Sequence, residues 1–357
     1  MNAADHLLPP LTGLDRERYS RQMLFAPIGE EGQAKLLQAR IAIVGMGALG
    51  TVLANHMARA GIGFIRIIDR DFVERSNLQR QMLYDEEDAA SSSPKAEAGA
   101  ARLRAANSGI IIEPVVADLN ATNAEELLTD VDLILDGTDN FAVRFLINDV
   151  SVKHGIPWIY GGAVSSRGVS LTIVPGETPC LRCLFGQPPG QGTAETCDTA
   201  GVLGPLIHVV ASHQATEALK LLVGARAALT PKMMHWDIWY NQHAGIDVSQ
   251  ARKADCPCCG QLSFDYLEAS VEEDTIQSLC GRNSVQVQPS RPQRLSLADW
   301  EARLAPLGRI ERNPFLLKLH LDDKGMTLVL FPDGRLIVQG TDDPVAAKSL
   351  YSRYIGM

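Results

Sequence analysis

The chain has 357 residues, 46% of them hydrophobic and 21% charged, with a formal net charge of -9 at pH 7. That length can bury a large core and suggests one big domain with a smaller companion, in the composition of an ordinary soluble globular protein. The acidic balance argues against nonspecific binding to nucleic acid or anionic membrane. Met1 to His6 shows neither a basic nor an apolar signal region and no apolar stretch reaches bilayer length, so no membrane association and a cytoplasmic location are expected.

In chain order, residues 1–40 read as an N-terminal helical arm, with Arg16, Arg18 and Arg21 near its start and Leu36 and Leu37 near its end. The apolar run Ile41 to Val44 then enters Gly45-Met-Gly47-Ala-Leu-Gly50, and apolar residues recur at Leu49, Val52, Leu53, Met57 and Ala60. The spacing predicts a strand, a tight glycine turn and an amphipathic helix. Glycines bring the backbone close to phosphate oxygens, and the helix start attracts their charge. A second strand, Phe64 to Ile68, ends in Asp69, at about the distance beyond the glycines where a carboxylate meets ribose hydroxyls. To this point NAD would serve equally well. Asn77, Arg80 and Gln81 come next, and Lys95 opens a helix after Pro94. A pyrophosphate needs little beyond the helix dipole, whereas a triphosphate about to be split calls for Arg, Lys and a metal ion. The surplus of cations therefore points to ATP.

Strands at Ile110 to Val116, Val131 to Asp136 and Pro157 to Tyr160, with a helix from Asn140 to His154, continue the alternation. Such alternation predicts a doubly wound, mostly parallel α/β sheet. Asp136 ends its strand at the carboxyl edge, where ligands of this fold class bind. Asp139 either caps the following helix or holds magnesium beside the phosphates. A strand from Val169 to Val174 precedes Gly186 to Gly204, which carries almost no periodicity and reads as a functional or disordered loop. A helix from Leu206 to Leu222 and a strand from Met233 to Tyr240 follow, and Asn241 to Asp255 reads as a connection.

Seven cysteines include two CxxC pairs, Cys180 with Cys183 and Cys256 with Cys259, about seventy residues apart. Two such knuckles complete a tetrahedral site with four protein ligands, which predicts a closed, structural zinc. Cys258 is then the spare thiol of the second cluster. Cys197, in the long loop, is either an ordinary thiol or a nucleophile, and nothing nearby in sequence lowers its pKa. Residues 271–357, with Cys280 near their start, read as a separate small α+β domain. It has a helix at Ser296 to Leu304, strands at Phe315 to Leu321 and Met326 to Gly340, and a last helix from Pro344.

The arm Arg18-Tyr-Ser-Arg21-Gln22, the loop GMGALG, Asp69, Ser76-Asn77-Leu-Gln-Arg80-Gln81, Pro94-Lys95, Asp136-Gly-Thr-Asp139-Asn140, the paired CxxC and Thr196-Cys197 through Pro205 occur in order. Together they resemble the MoeB/ThiF family of adenylyltransferases, relatives of ubiquitin-activating enzymes, over about residues 15 to 265. The resemblance implies a Rossmann-like, zinc-bearing adenylation domain over 41–270. It implies a homodimer that uses ATP and magnesium to adenylate the C-terminal glycine of a small ubiquitin-like sulfur carrier with a Gly-Gly end. That carrier would be of ThiS or MoaD type, serving thiamine or molybdopterin biosynthesis. By motif, Gly45, Gly47 and Gly50 would form the nucleotide loop and Asp69 would hold the ribose. Asn77, Arg80 and Lys95 would hold the phosphates, Asp139 would organise magnesium, and Arg21 would reach the neighbouring subunit's site. Some members use the cysteine matching Cys197 for a covalent link to the carrier. No rhodanese-type cysteine loop is recognisable in the tail, so a separate sulfur donor such as a cysteine desulfurase is expected. No catalytic role falls to the eight histidines. The alternatives are activation of a carboxylate on modified tRNA, an NAD-dependent oxidoreductase, and a non-catalytic nucleotide-binding scaffold.

Overall fold

The structure is a computed structural model that describes residues 10–189, 195–269, 275–279, 283–289, 293–321 and 325–356. The segment Met1 to His6, positions 190–194 of the long loop, and Cys280 lie outside the described residues. Contacts divide the chain into two compact units, one of Met1–Gly190 with Val202–Glu268, the other of Gln191–Gly201 with Ala269–Met357.

In the first unit eight strands form one sheet: β1 Arg40–Val44, β2 Phe64–Ile68, β3 Ile111–Val115, β4 Leu133–Asp136, β5 Trp158–Val164, β6 Arg167–Ile173, β7 Lys232–Asp237 and β8 Gln242–Asp247. Their order is β3-β2-β1-β4-β5-β6-β7-β8. The first five are parallel, and β6, β7 and β8 extend the sheet antiparallel. Alternation along β1 explains why both faces are covered, because successive strand side chains point to opposite sides. Ile41 and Ile43 join a core with the helices Ala48–Ala60, Lys95–Ala106 and Gly204–Val223. Ala42 and Val44 join a second core with the helix Phe141–His154 and the cysteine knuckles. This is the doubly wound, mostly parallel α/β fold that the pattern predicts.

Three local details emerge. Among the described residues the helical arm consists of three short helices, Gly13–Arg18, Ser20–Met23 and Gly29–Gln38. The stretch after Tyr240 contains β8, an edge strand whose six residues are all exposed, so it carries no apolar alternation to read. Within the loop from Gly186 to Gly204, Cys197–Ala200 form a helical turn capped by Thr196, whose side chain accepts the Thr199 N–H.

In the second unit the strands β9 Thr275–Leu279, β10 Ser284–Gln288, β11 Arg309–Arg312, β12 Leu317–Leu321, β13 Met326–Leu330 and β14 Leu336–Gln339 form one sheet. The order is β11-β12-β13-β14-β10-β9, antiparallel throughout. The helices Leu297–Leu304 and Pro344–Tyr354 cover it over a core that includes Val285, Trp300, Leu319, Leu328, Val338 and Tyr351. Where sequence suggests two strands, six are present among the described residues, and the long run from Met326 to Gly340 turns at Pro332-Asp-Gly334, as the sequence there suggests, into the hairpin of β13 and β14. No helix among the described residues is long and apolar enough to cross a membrane.

Candidate active site

Register brings the loops together. Val44, the last residue of β1, pairs with Ile68 of β2 on one side and Asp136 of β4 on the other, so three loops leave the sheet side by side. Backbone bonds seal this edge: Gly45 N–H donates to the Ile68 carbonyl at 2.8 Å and Gly137 N–H to the Val44 carbonyl at 2.8 Å.

The three glycines of the first loop have separate tasks. Gly45 takes φ +87°, a left-handed conformation that side chains rarely adopt, and so makes the turn. Gly50 packs so tightly that a Cβ would lie 1.8 Å from the Gly45 carbonyl oxygen. At Gly47 a Cβ would meet nothing within 4 Å. The first and third glycines are needed by the fold itself, whereas the second faces open space at the start of the helix Ala48–Ala60.

Asp69 stands at the end of β2 with its Oδ2 accepting the Met46 N–H at 2.6 Å and its Oδ1 the Asp71 N–H at 2.7 Å. Its carboxyl therefore pins the glycine loop as well as facing the edge. Burial raises its pKa, against the pull of the Lys95 charge. Lys95 is the first residue of its helix, and its side chain is only 4% exposed, with Nζ 3.2 Å from Asp71 Oδ2. A solvated surface cation would not be buried like this, so the placement overturns the commonplace reading of a lysine at that position.

Asn77 is buried at the end of a 3-10 turn, Arg75–Asn77, and its Oδ1 accepts the Glu74 N–H at 3.0 Å. Arg80 is half-buried and donates to the Ser76 carbonyl at 2.8 Å. Asp139 is exposed. Its alternative task is taken, because Asn140 caps the helix Phe141–His154, accepting the Ala142 N–H at 2.8 Å and the Val143 N–H at 3.4 Å.

Several residues that sequence reasoning missed hold this edge. Arg144, 4% exposed, bonds Asp136 Oδ2 at 2.9 Å and the carbonyls of Thr138 and Gly161 at 2.6 and 2.7 Å. Burial raises the pKa of Asp136, opposed by the guanidinium beside it. Gln214 Nε2 donates to the carbonyls of Asp136 and Ile159. The buried Tyr84 hydroxyl lies 2.8 Å from the Met46 carbonyl and 3.1 Å from that of Lys95, tying the glycine loop to the helix that carries the lysine. Arg144 was open to discovery as a charge at an inward position of a helix; Tyr84 carries no signal of that kind.

The arm motif also resolves. Tyr19 and Gln22 face inward: Asn107 Nδ2 donates to the Tyr19 hydroxyl at 2.8 Å, and Gln22 Nε2 to the Ala60 carbonyl at 2.9 Å. Arg21 between them is exposed. Cys197 is half-buried and belongs to the second compact unit.

The Sγ atoms of Cys180, Cys183, Cys256 and Cys259 all lie within 4.8 Å of one another. Cys180 to Cys183 is 3.8 Å, Cys180 to Cys256 3.6 Å and Cys183 to Cys259 3.4 Å. Zinc–sulfur bonds of about 2.3 Å in a tetrahedron put the sulfurs about 3.8 Å apart, so the donor set and its spacing fit a structural zinc. Four thiolates would leave no position for a substrate, so a zinc ion held there would serve to fold and fix the two knuckles.

Comparison with known proteins agrees with this geometry. The ThiF family model matches residues 19–258. The sulfur carrier protein ThiS adenylyltransferase of Bacillus subtilis (strain 168) is 45% identical over 341 residues, covering 95% of this chain and 99% of that one. The SAMP-activating enzyme E1 of Haloferax volcanii is 39% identical, covering 71% and 92%. The crystal structure of Escherichia coli MccB with ATP superposes with a TM-score of 0.60 at 25% identity, covering 68% of this chain and 74% of that one. The matched domain, the glycine turn with its buried lysine, and the cysteine cluster together lead to one conclusion: the chain belongs to the ThiF family and is an adenylyltransferase, which uses ATP.

Proposed function

We propose that the protein adenylates the C-terminal glycine of a small ubiquitin-like sulfur carrier with a Gly-Gly end, using ATP and magnesium. The observation that carries this reading is the convergence of an open glycine turn, a buried lysine and an exposed aspartate on one sheet edge. The Bacillus relative, aligned over nearly all of both chains, supports a carrier of ThiS type; a MoaD-type carrier is the other member of the same class.

In this reading Asp69 binds the ribose through the oxygen lone pairs that the Met46 and Asp71 amides leave over. Arg80, Lys95 and the Asn77 amide hold the phosphates. Asp139 would hold magnesium, which supplies neutralising charge to the triphosphate. The carrier carboxylate attacks the α-phosphorus in line, the bond to the bridging oxygen breaks, and pyrophosphate leaves with both electrons of that bond. Cations stabilise the charge gathering on it. No general base is required, since a carboxylate is already ionised at neutral pH. Homodimerisation through which Arg21 completes the neighbouring site, a separate sulfur donor such as a cysteine desulfurase, and a cytoplasmic location complete the proposal.

Incubation with each candidate carrier and MgATP, followed by intact-mass measurement, tests it. A carrier heavier by one AMP is expected. No adduct on any Gly-Gly carrier, despite ATP binding, would leave the nucleotide-binding scaffold as the better reading. The same spectra report on Cys197: an enzyme–carrier conjugate that disappears in Cys197→Ser would mark it as the covalent link.

The glycine loop offers a sharper dissection. Gly47→Ala is expected to leave the melting temperature within about 2 °C of wild type, because its Cβ meets no neighbour, yet to weaken ATP binding at least about tenfold, because phosphate needs that space. Gly50→Ala is expected to prevent folding. Calorimetric titration with ATP checks the first, and unchanged affinity in Gly47→Ala would remove the phosphates from this loop.

A further inference from the structure

Cys258, left over when the four zinc ligands are assigned, is fully buried beside them and not on the surface. What it touches is informative. Asn148, on the helix Phe141–His154 and itself 0% exposed, donates from Nδ2 to Cys258 Sγ at 3.2 Å. Its Oδ1 accepts the Leu181 N–H at 2.8 Å. A backbone N–H can only donate, so the Leu181 contact fixes which end of the amide carries oxygen and turns the NH2 group toward the sulfur.

Leu181 directly follows Cys180 in the first knuckle, and Cys258 directly precedes Cys259 in the second. One side chain thus grips both knuckles, of which the first follows β6 and the second follows β8. The next residue on the same helix, Asp149, accepts the Tyr266 N–H at 2.9 Å and holds the segment that follows the second knuckle. We propose that Asn148 is a clamp that holds the two cysteine knuckles at ligand spacing, through Leu181 on one side and Cys258 on the other, and thereby governs how long zinc stays bound.

The physical reason lies in the chemistry of the site. Four thiolates around a divalent ion leave a net charge of about -2 in a buried cluster, and when one zinc–sulfur bond breaks, the freed thiolate is repelled by its neighbours. Outer groups that fix the ligand backbone keep the broken bond within reach and favour its re-forming over escape of the metal. Asn148 and Cys258 are positioning residues and neither needs to bind the ion.

The test uses the zinc-loaded protein and follows metal transfer to a chromogenic chelator, with the thiolate-to-metal charge-transfer band of the cobalt-substituted protein as a second readout. Asn148→Ala and Cys258→Ala are each expected to release zinc at least about tenfold faster than wild type, the size of effect that loss of an outer-shell partner has on metal affinity. Cys258→Ser keeps an acceptor for the amide and is expected to stay within about threefold of wild type. The cobalt band should weaken or shift in the alanine variants and not in the serine one. Wild-type release rates in both alanine variants would overturn the proposal. Equal rates in Cys258→Ser and Cys258→Ala would overturn it as well, since packing and not the hydrogen bond would then be responsible. Should Asn148→Ala fail to fold, the two Cys258 variants decide the matter alone.

Discussion

Lys95→Ala is expected to lower carrier-dependent exchange of labelled pyrophosphate into ATP by about a hundredfold, or roughly 3 kcal/mol of transition-state stabilisation. The size follows from burial. A surface ion pair contributes about 1 kcal/mol or less, whereas the Lys95 side chain is 4% exposed and sits beside Asp71 and Asp69, so its charge acts with little screening. Because charge on pyrophosphate grows as the bond breaks, the loss should fall mainly on kcat and less on KM for ATP. A pH signature accompanies it. Burial holds the Asp69 pKa above its ordinary value and the Lys95 charge pulls it down; without the lysine the carboxyl rises further, and the acidic limb of the exchange profile should move to higher pH. A folded Lys95→Ala variant with exchange within twofold of wild type would show that this lysine does not act on the phosphates.

Among variants that still fold, loss of one zinc ligand should produce the largest stability effect. Cys183 is 2% exposed and contacts Cys180 and Cys259 through sulfur, so Cys183→Ala leaves three thiolates and an incomplete shell. Structural zinc sites contribute about 10–16 kcal/mol of folding free energy in small domains, and forfeiting even about 4 of these from a domain of this size lowers the melting temperature by about 10 °C. Calorimetry of the purified variant checks this. Prolonged chelation should lower the melting point of wild type toward that of the variant and leave the variant unchanged. Identical melting curves for wild type and Cys183→Ala, with or without chelator, would mean the four cysteines form no structural centre.

These two sites are joined by a single element. The helix Phe141–His154, capped by Asn140 next to Asp139, carries Arg144 under the sheet edge at Asp136 and reaches the knuckles at Asn148 and Asp149. At 1.5 Å rise per residue, the eight residues from Asn140 to Asn148 span about 12 Å. Damage to the zinc centre therefore has a short, rigid route to the loop that positions Asp139.

How much of this was legible beforehand depended on periodicity. The buried strands announced themselves as apolar runs, the glycine turn by its spacing, and the candidate zinc ligands by two CxxC pairs, which the fold brings together. Edge elements did not. β8 has no buried residue and β11, Arg309–Arg312, is barely covered, so neither offers alternation to read. In β10 the alternation was present, with Val285 and Val287 fully buried, but it is only a few residues long and runs straight into Pro289. Within the site, residue types near the motif could be named, while the division of labour could not. Whether Asp139 or Asn140 caps the helix depends on backbone dihedrals that adjacent polar residues share almost equally. Tyr84 and Asn148 act through hydrogen bonds to backbone or sulfur far away in sequence, and a single side chain gives no hint of such a partner.

A crystal structure of the protein grown with MgATP tests the central claim most directly. The account predicts Arg80 and Lys95 on the phosphates, Gly47 against them, the ribose on Asp69, and a metal ion beside Asp139. Arg80 and Lys95 turned away from the nucleotide, with no metal at Asp139, would contradict it.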